Sequence, residues 1–231
     1  KGYDVFRLNY RDHGDTHHLN EGLFYAPLFN EVFEAAGQAA QMSGGKPAYV
    51  MGFSMGGNFV LRIARELARR PIPALKHLIA ISPVIDPFKA SPMIDERPII
   101  RRYFHRKWTR SMAKKQALYP HLYEFDEIIK LKNVMDISRR MIAEYSHFPD
   151  EKSFFDGYKV FERDLAEVTV PVTIVTAKDD PIIPKDDLDK IVVSASVKII
   201  AHDHGGHNGF FQSVRGPTWY DDNFEAIIAR K

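Results

Sequence analysis

The chain has 231 residues, 45% of them hydrophobic, which suits one domain with a sizeable core plus an insertion. Lysine and arginine number 32 against 30 aspartate and glutamate, so no global charge pulls the molecule toward nucleic acid. Cysteine is absent, which excludes disulfides, thiol catalysis and thiolate metal sites and suits a reducing, cytoplasmic compartment.

The first apolar run, Tyr3-Asp4-Val5-Phe6-Arg7-Leu8, predicts a strand at 3–9. A polar loop with Asp15, His17, His18 and Asn20 follows; the two histidines read either as pocket-lining groups or as ordinary loop residues. A helix is expected near 25–42, ended by Ser43-Gly44-Gly45. The next strand, at 48–52, runs into Gly52-Phe53-Ser54-Met55-Gly56 and then a helical pattern near 55–70. Strand, tight turn and helix with a serine at the apex make a nucleophile elbow. The small residues on either side let the chain reverse, and Ser54 is forced into a strained conformation with its hydroxyl outward. The Met55 N–H, at the start of the helix, is placed to bind an oxyanion formed at Ser54. Another buried strand is expected at 78–82, and alternation of strands and helices means a parallel sheet flanked by helices.

From 87 to 168 the strand pattern disappears into some eighty residues rich in helix formers and aromatics, too long for an ordinary connection. This segment is expected to be a helical cap insertion that roofs Ser54; the plainer reading is a structural insert with the pocket elsewhere. Within it Ile99, Ile100, Tyr103, Phe104, Trp108 and Met112 fall at helical spacing, with Arg101, Arg102, Arg106, Arg110 and Lys114 mainly off that stripe. Such a helix suits peripheral contact with an anionic membrane surface; the plainer reading is that it packs its aromatics inward and solvates its basic face.

A serine hydroxyl needs a general base. The strand-like run 170–175 leads to Lys178-Asp179-Asp180-Pro181, and the run 197–201 leads to His202-Asp203-His204-Gly205-Gly206-His207. A carboxylate and an imidazole at successive strand ends face the crevice where α/β proteins do chemistry. The order Ser54, Asp180, His207 is that of α/β hydrolases and excludes the chymotrypsin-like and subtilisin-like orders. Asp179 is the alternative acid. His202, His204 and His207 also resemble the ligand set of metallo-β-lactamase-type hydrolases, but Gly206 stands where that set needs an aspartate; neither metal nor cofactor is expected.

Gly52-Phe53-Ser54-Met55-Gly56-Gly57-Asn58 resembles the elbow of the YheT-type α/β hydrolases, relatives of the EMB8-like and ABHD-type esterases. Asn9-Tyr10-Arg11-Asp12-His13-Gly14, Tyr123-Glu124-Phe125-Asp126, Lys178-Asp179-Asp180-Pro181 and Gly206-His207-Asn208-Gly209-Phe210 extend the resemblance in order along nearly the whole chain. It implies an α/β-hydrolase fold with core segments 1–86 and 169–231 around the 87–168 cap. It implies ester hydrolysis with Ser54, His207 and Asp180 as nucleophile, base and orienter. The strand at 3–9 then matches the fourth strand of that fold, with nothing before it for the first three. About sixty or more residues of upstream sequence are therefore expected, together with a missing central strand and a missing second oxyanion donor. The expected activity is a serine hydrolase of carboxylic esters with apolar acyl chains or lipids. The alternatives are an acyltransferase using the same acyl-enzyme and a non-catalytic ligand-binding protein. The expected partner is a small-molecule ester and not a nucleic acid; oligomeric state is left open.

Overall fold

A computed structural model describes residues 2–229, apart from the side chain of Lys185. The chain forms two compact units. One comprises the residues up to Leu28 together with Ser91–Gly157; the other comprises Phe29–Ala90 together with the residues from Tyr158 on. In chain order the helices and strands are α1 (Phe29–Met42), β1 (Ala48–Phe53), α2 (Met55–Glu66), β2 (Leu75–Ile81), α3 (Pro87–Asp95), α4 (Pro98–Leu118), α5 (Val134–Tyr145), α6 (Glu151–Asp156), β3 (Val172–Ala177), α7 (Lys185–Asp189), β4 (Val197–His202) and α8 (Trp219–Ile228).

The second unit is built on a four-stranded sheet in the order β1-β2-β3-β4, parallel throughout. Its two inner strands are near-continuous apolar runs, as strands buried on both faces must be. Leu78 to Ile81 of β2 are fully buried, and so is all of β3. Ile79 and Ile81 pack with Val175, Ala177, Phe210 and Ile227 beneath α8. Helix α2 packs on β1 and β2, burying Phe59, Leu61, Ile63 and Ala64. Arg62 is buried too, its guanidinium over the rings of Phe29 and Phe59; burial pulls its pKa down to about 10.

Where the chain leaves β2 and where it returns at 158–160, it is tied together. Val160 N–H donates to Ile85 O at 3.0 Å. Lys159 Nζ donates to the buried Asp86 carboxylate at 2.7 Å. Lys89 reaches the buried Asp187 on α7 at 2.6 Å, and that hydrogen bond raises the Lys89 pKa.

The other unit is helical. Leu23, Met112, Phe125, Ile128 and Ile137 form its core, with Tyr25, Tyr123 and Tyr145 around them. Lys115 is 1% exposed. Its Nζ donates to Asp12 Oδ1 at 2.9 Å and to the carbonyls of His17 and Asn20, while Asp12 Oδ2 accepts from Phe24 N–H. Asp95 supplies the cap of α5 from outside that helix, accepting Val134 and Met135 N–H at 2.7 and 2.9 Å.

Three sequence expectations change. Residues 2–10 carry no strand, and Val5 and Phe6 are exposed. A strand makes no hydrogen bonds within itself and exists only beside another backbone; no described strand pairs with 3–9. The residues up to Leu28, expected with the sheet, group with 91–157, whereas 87–90 and 158–168, expected in the cap, group with the sheet. The aromatic stripe of α4 also divides. Met112 is buried, but Ile99 is 85% and Tyr103 58% exposed. At 100° per residue these two fall beside Arg102 and Arg106, so the stripe as drawn spans more than one face of the helix.

Candidate active site

The site is assembled within the sheet-bearing unit, at the C-terminal ends of the strands. Gly52 in β1 admits no side chain, because a Cβ there would lie 2.2 Å from Gly56 O. The close approach lets the chain fold back over β1 as α2 begins. Ser54 holds φ 54° and ψ −115° at the apex, a region that L-residues avoid unless their surroundings over-determine it. Those surroundings are visible: Ser54 N–H donates to Ile81 O at 2.9 Å, and Ser54 O accepts from Asn58 and Val84 N–H. Asn58 is fully buried, and its Nδ2 donates to both Val84 O and Tyr158 O. One amide thus ties the elbow helix to both chain passages beside it.

His207 Nε2 lies 2.9 Å from Ser54 Oγ. His207 Nδ1 lies 3.0 Å from Asp180 Oδ2 and 3.2 Å from Oδ1. The Asp180 side chain is wholly buried, and its Oδ1 also accepts Ile182 and Ile183 N–H at 2.8 and 3.0 Å. An ionised carboxylate only accepts, so the Nδ1 proton belongs on the Asp180 side, leaving Nε2 to accept from the serine hydroxyl. Met55 opens α2, and its N–H has no carbonyl within the helix to meet.

Asp179, the alternative acid, does something else. Its Oδ1 accepts Gly205 and Gly206 N–H at 2.9 and 2.8 Å. These hydrogen bonds, Gly206 first, hold its pKa below the ordinary 3.8. The neighbouring aspartates thus divide the histidine loop between them: one holds the imidazole, the other the turn in front of it. Gly206 at φ 56° makes that turn, and His204 lies on its exposed side with Nδ1 3.6 Å from Asp179 Oδ2. His202 sits edge-on to the rings of Trp219 and Phe210. The three histidines therefore diverge. Among the described residues no group of three or more potential ligands is placed to hold a metal ion. His17 and His18 belong to the helical unit, where His17 Nε2 is 2.8 Å from Ser111 Oγ and burial lowers its pKa.

Ser82 and Asn58 carry parts that the sequence reading did not give them. Ser82, fully buried at φ 42°, lies at the end of β2 with its Oγ 3.4 Å from Asn208 N. At 100° per residue Asn58 shares the helix side of Arg62 and Arg65, so periodicity gave no signal of its burial. Of the five non-glycine residues at positive φ among those described, Ser54, Ser82, Asn208 and Phe210 surround this site.

A parallel sheet with a strained serine between strand and helix, and a histidine and an aspartate on later strand ends, defines an α/β hydrolase. The chain belongs to the serine aminopeptidase S33 family, whose sequence model matches residues 1–212. It is 26% identical over 197 residues to human monoacylglycerol lipase ABHD2, covering 74% of this chain and 45% of that protein. It is 20% identical over 182 residues to monoacylglycerol lipase of Saccharomyces cerevisiae, covering 74% and 40%. The chain thus spans less than half the length of these curated relatives. Among solved structures its fold is similar to a serine hydrolase from Cycloclasticus zankles, with a TM-score of 0.51 and 16% identity over 85% of this chain and 70% of that one. It is also similar to the meta-cleavage product hydrolase CumD, with a TM-score of 0.52 and 13% identity over 95% and 76%.

Proposed function

We propose that this protein hydrolyses carboxylic esters through Ser54, His207 and Asp180. The observation that carries the reading is the hydrogen-bonded line from Ser54 Oγ through the His207 ring to Asp180. His207 Nε2 takes the Ser54 proton as Oγ bonds to the ester carbonyl carbon. The carbonyl oxygen becomes an oxyanion facing the Met55 N–H. The C–O bond to the alcohol then breaks, and His207 returns the proton to the leaving alkoxide. Water, deprotonated by the same nitrogen, attacks the acyl-enzyme and releases the acid and Ser54. Asp180 fixes the ring tautomer and stabilises the imidazolium at each stage.

The lipase relatives support an ester with an apolar acyl group, such as a lipid. The elbow and histidine-loop motifs support membership of the YheT-type branch. The family's name brings a second reading, release of an N-terminal amino acid by the same acyl-enzyme chemistry on an amide. An acceptor alcohol in place of water at the acyl-enzyme would make the protein an acyltransferase. A fluorophosphonate label mapped by mass spectrometry tests the nucleophile; a protein labelled elsewhere, or not at all, would sink the proposal. Turnover of p-nitrophenyl esters of graded chain length, with and without an acceptor alcohol, and of aminoacyl p-nitroanilides separates the three substrate readings. Ester turnover into free acid is the expected result.

A further inference from the structure

Helix α4 has 21 residues and no aspartate or glutamate. Two of its cations are used inside the helical unit. Lys115 is buried on Asp12, and Arg101 donates to Asp95 O and to Asn133. The other five, Arg102, Arg106, Lys107, Arg110 and Lys114, are exposed. Arg102, Arg106, Arg110 and Lys114 recur every fourth residue, which lines them up along one side of the helix over about 18 Å. Like charges at that spacing destabilise a helix, so the row works against the element that bears it. Among the described residues the one carboxylate paired with it is Asp15, at 2.9 Å from Lys114. Ile99 and Tyr103, 85% and 58% exposed, continue the same solvent face at its N-terminal end, with Lys107 Nζ 5.7 Å from the Tyr103 ring centre.

We infer that this face of α4 docks on the surface of an anionic lipid bilayer. A row of cations in which only Lys114 has a carboxylate partner among the described residues fits a flat array of acidic headgroups, where each cation within a Debye length adds to the attraction. The exposed isoleucine and tyrosine decide between partners that share negative charge. An aliphatic side chain and an amphipathic ring at one end of a basic face suit the headgroup boundary of a bilayer. A polyphosphate chain offers an aliphatic side chain nothing. No helix among the described residues is long and apolar enough to cross a membrane, so the contact is peripheral.

Co-sedimentation of the protein with vesicles tests this without reference to catalysis, since Ser54→Ala should bind as well as the parent. Vesicles of phosphatidylcholine mixed with phosphatidylglycerol should bind at low salt and release as salt rises; pure phosphatidylcholine should bind far less. Each charge removed should weaken binding about fivefold, so the triple variant R102Q/R106Q/R110Q should lose on the order of a hundredfold. Ile99→Ser should weaken the binding that persists at high salt. All four side chains are on the solvent face, and an unchanged circular dichroism spectrum establishes that the variants fold. Three results would overturn the inference: equal binding to both vesicle types, no binding at low salt, or triple-variant binding equal to the parent's. Tighter binding to a single-stranded oligonucleotide than to anionic vesicles would do so as well.

Discussion

At the residue scale, the two adjacent aspartates show how little spacing says about role. Asp180 points at His207 Nδ1 and Asp179 at the N–H groups of Gly205 and Gly206. Under the proposed mechanism Ser54→Ala should lower kcat by about 10⁶-fold. Asp180→Asn should lower it by about 10⁴-fold, because the amide favours the wrong tautomer. His202→Ala and His204→Ala should change it little. For Asp179 a graded pair is informative: Asp179→Ala removes the acceptor from two backbone donors and should slow acylation about tenfold, whereas Asp179→Asn keeps an oxygen there and should be milder. Equal and negligible effects would leave Asp179 without a part in holding the loop. The folded pKa of Asp179 lies below its ordinary 3.8. Its stabilising contribution is therefore complete above the unfolded value and is lost as pH falls through the folded one. Acid titration below about pH 4, followed by the His207 ring signals in NMR, should loosen the loop in the parent and not in Asp179→Asn.

At the element scale, packing that is local to a strand or helix could be read in advance, and pairing that is not could not. The runs that became β2 and β3 are apolar because those strands are covered on both faces, whereas β1 and β4, at the sheet's edges, are only partly buried. The 3–9 run has a similar look but no neighbour, and nothing in its own composition reports that. Ser54 was legible because an elbow needs its glycine neighbours within a few residues. The work of Asp179 was not, since its partners lie 26 and 27 residues downstream. The facing of α4 was misjudged for a related reason: its inward side is chosen by Asp12 and the carbonyls of His17 and Asn20, about a hundred residues earlier. That buried lysine makes a sharp stability test. Asp12→Ala strands a charge that is 1% exposed and should cost about 3–5 kcal/mol in urea unfolding. Asp12→Ala combined with Lys115→Met should recover much of that loss. If the double variant is no better than the single one, the pair is not coupled in the way the geometry implies.

At the scale of the whole molecule, a net charge of +2 conceals an uneven distribution, with one helix holding a row of cations that its own unit barely answers. The strained residues are just as unevenly placed. Ser54, Ser82, Asn208 and Phe210 all sit at positive φ at one end of one sheet. Each such residue costs on the order of 1–3 kcal/mol, which the rest of the fold must offset. Under the proposed mechanism thermostability and activity are therefore set against each other, and selection for heat resistance alone should erode the elbow first. Ser54→Ala keeps the unfavourable backbone; Ser54→Gly relaxes it. Both should be inactive, yet the glycine variant should melt several degrees above the alanine one, at about 2–4 °C per kcal/mol for a chain of this size. A calorimetric comparison in which the two melt together would mean that the elbow is held without strain. If the glycine variant melts higher, a screen that rewards only heat resistance will drift toward well-folded proteins with no nucleophile.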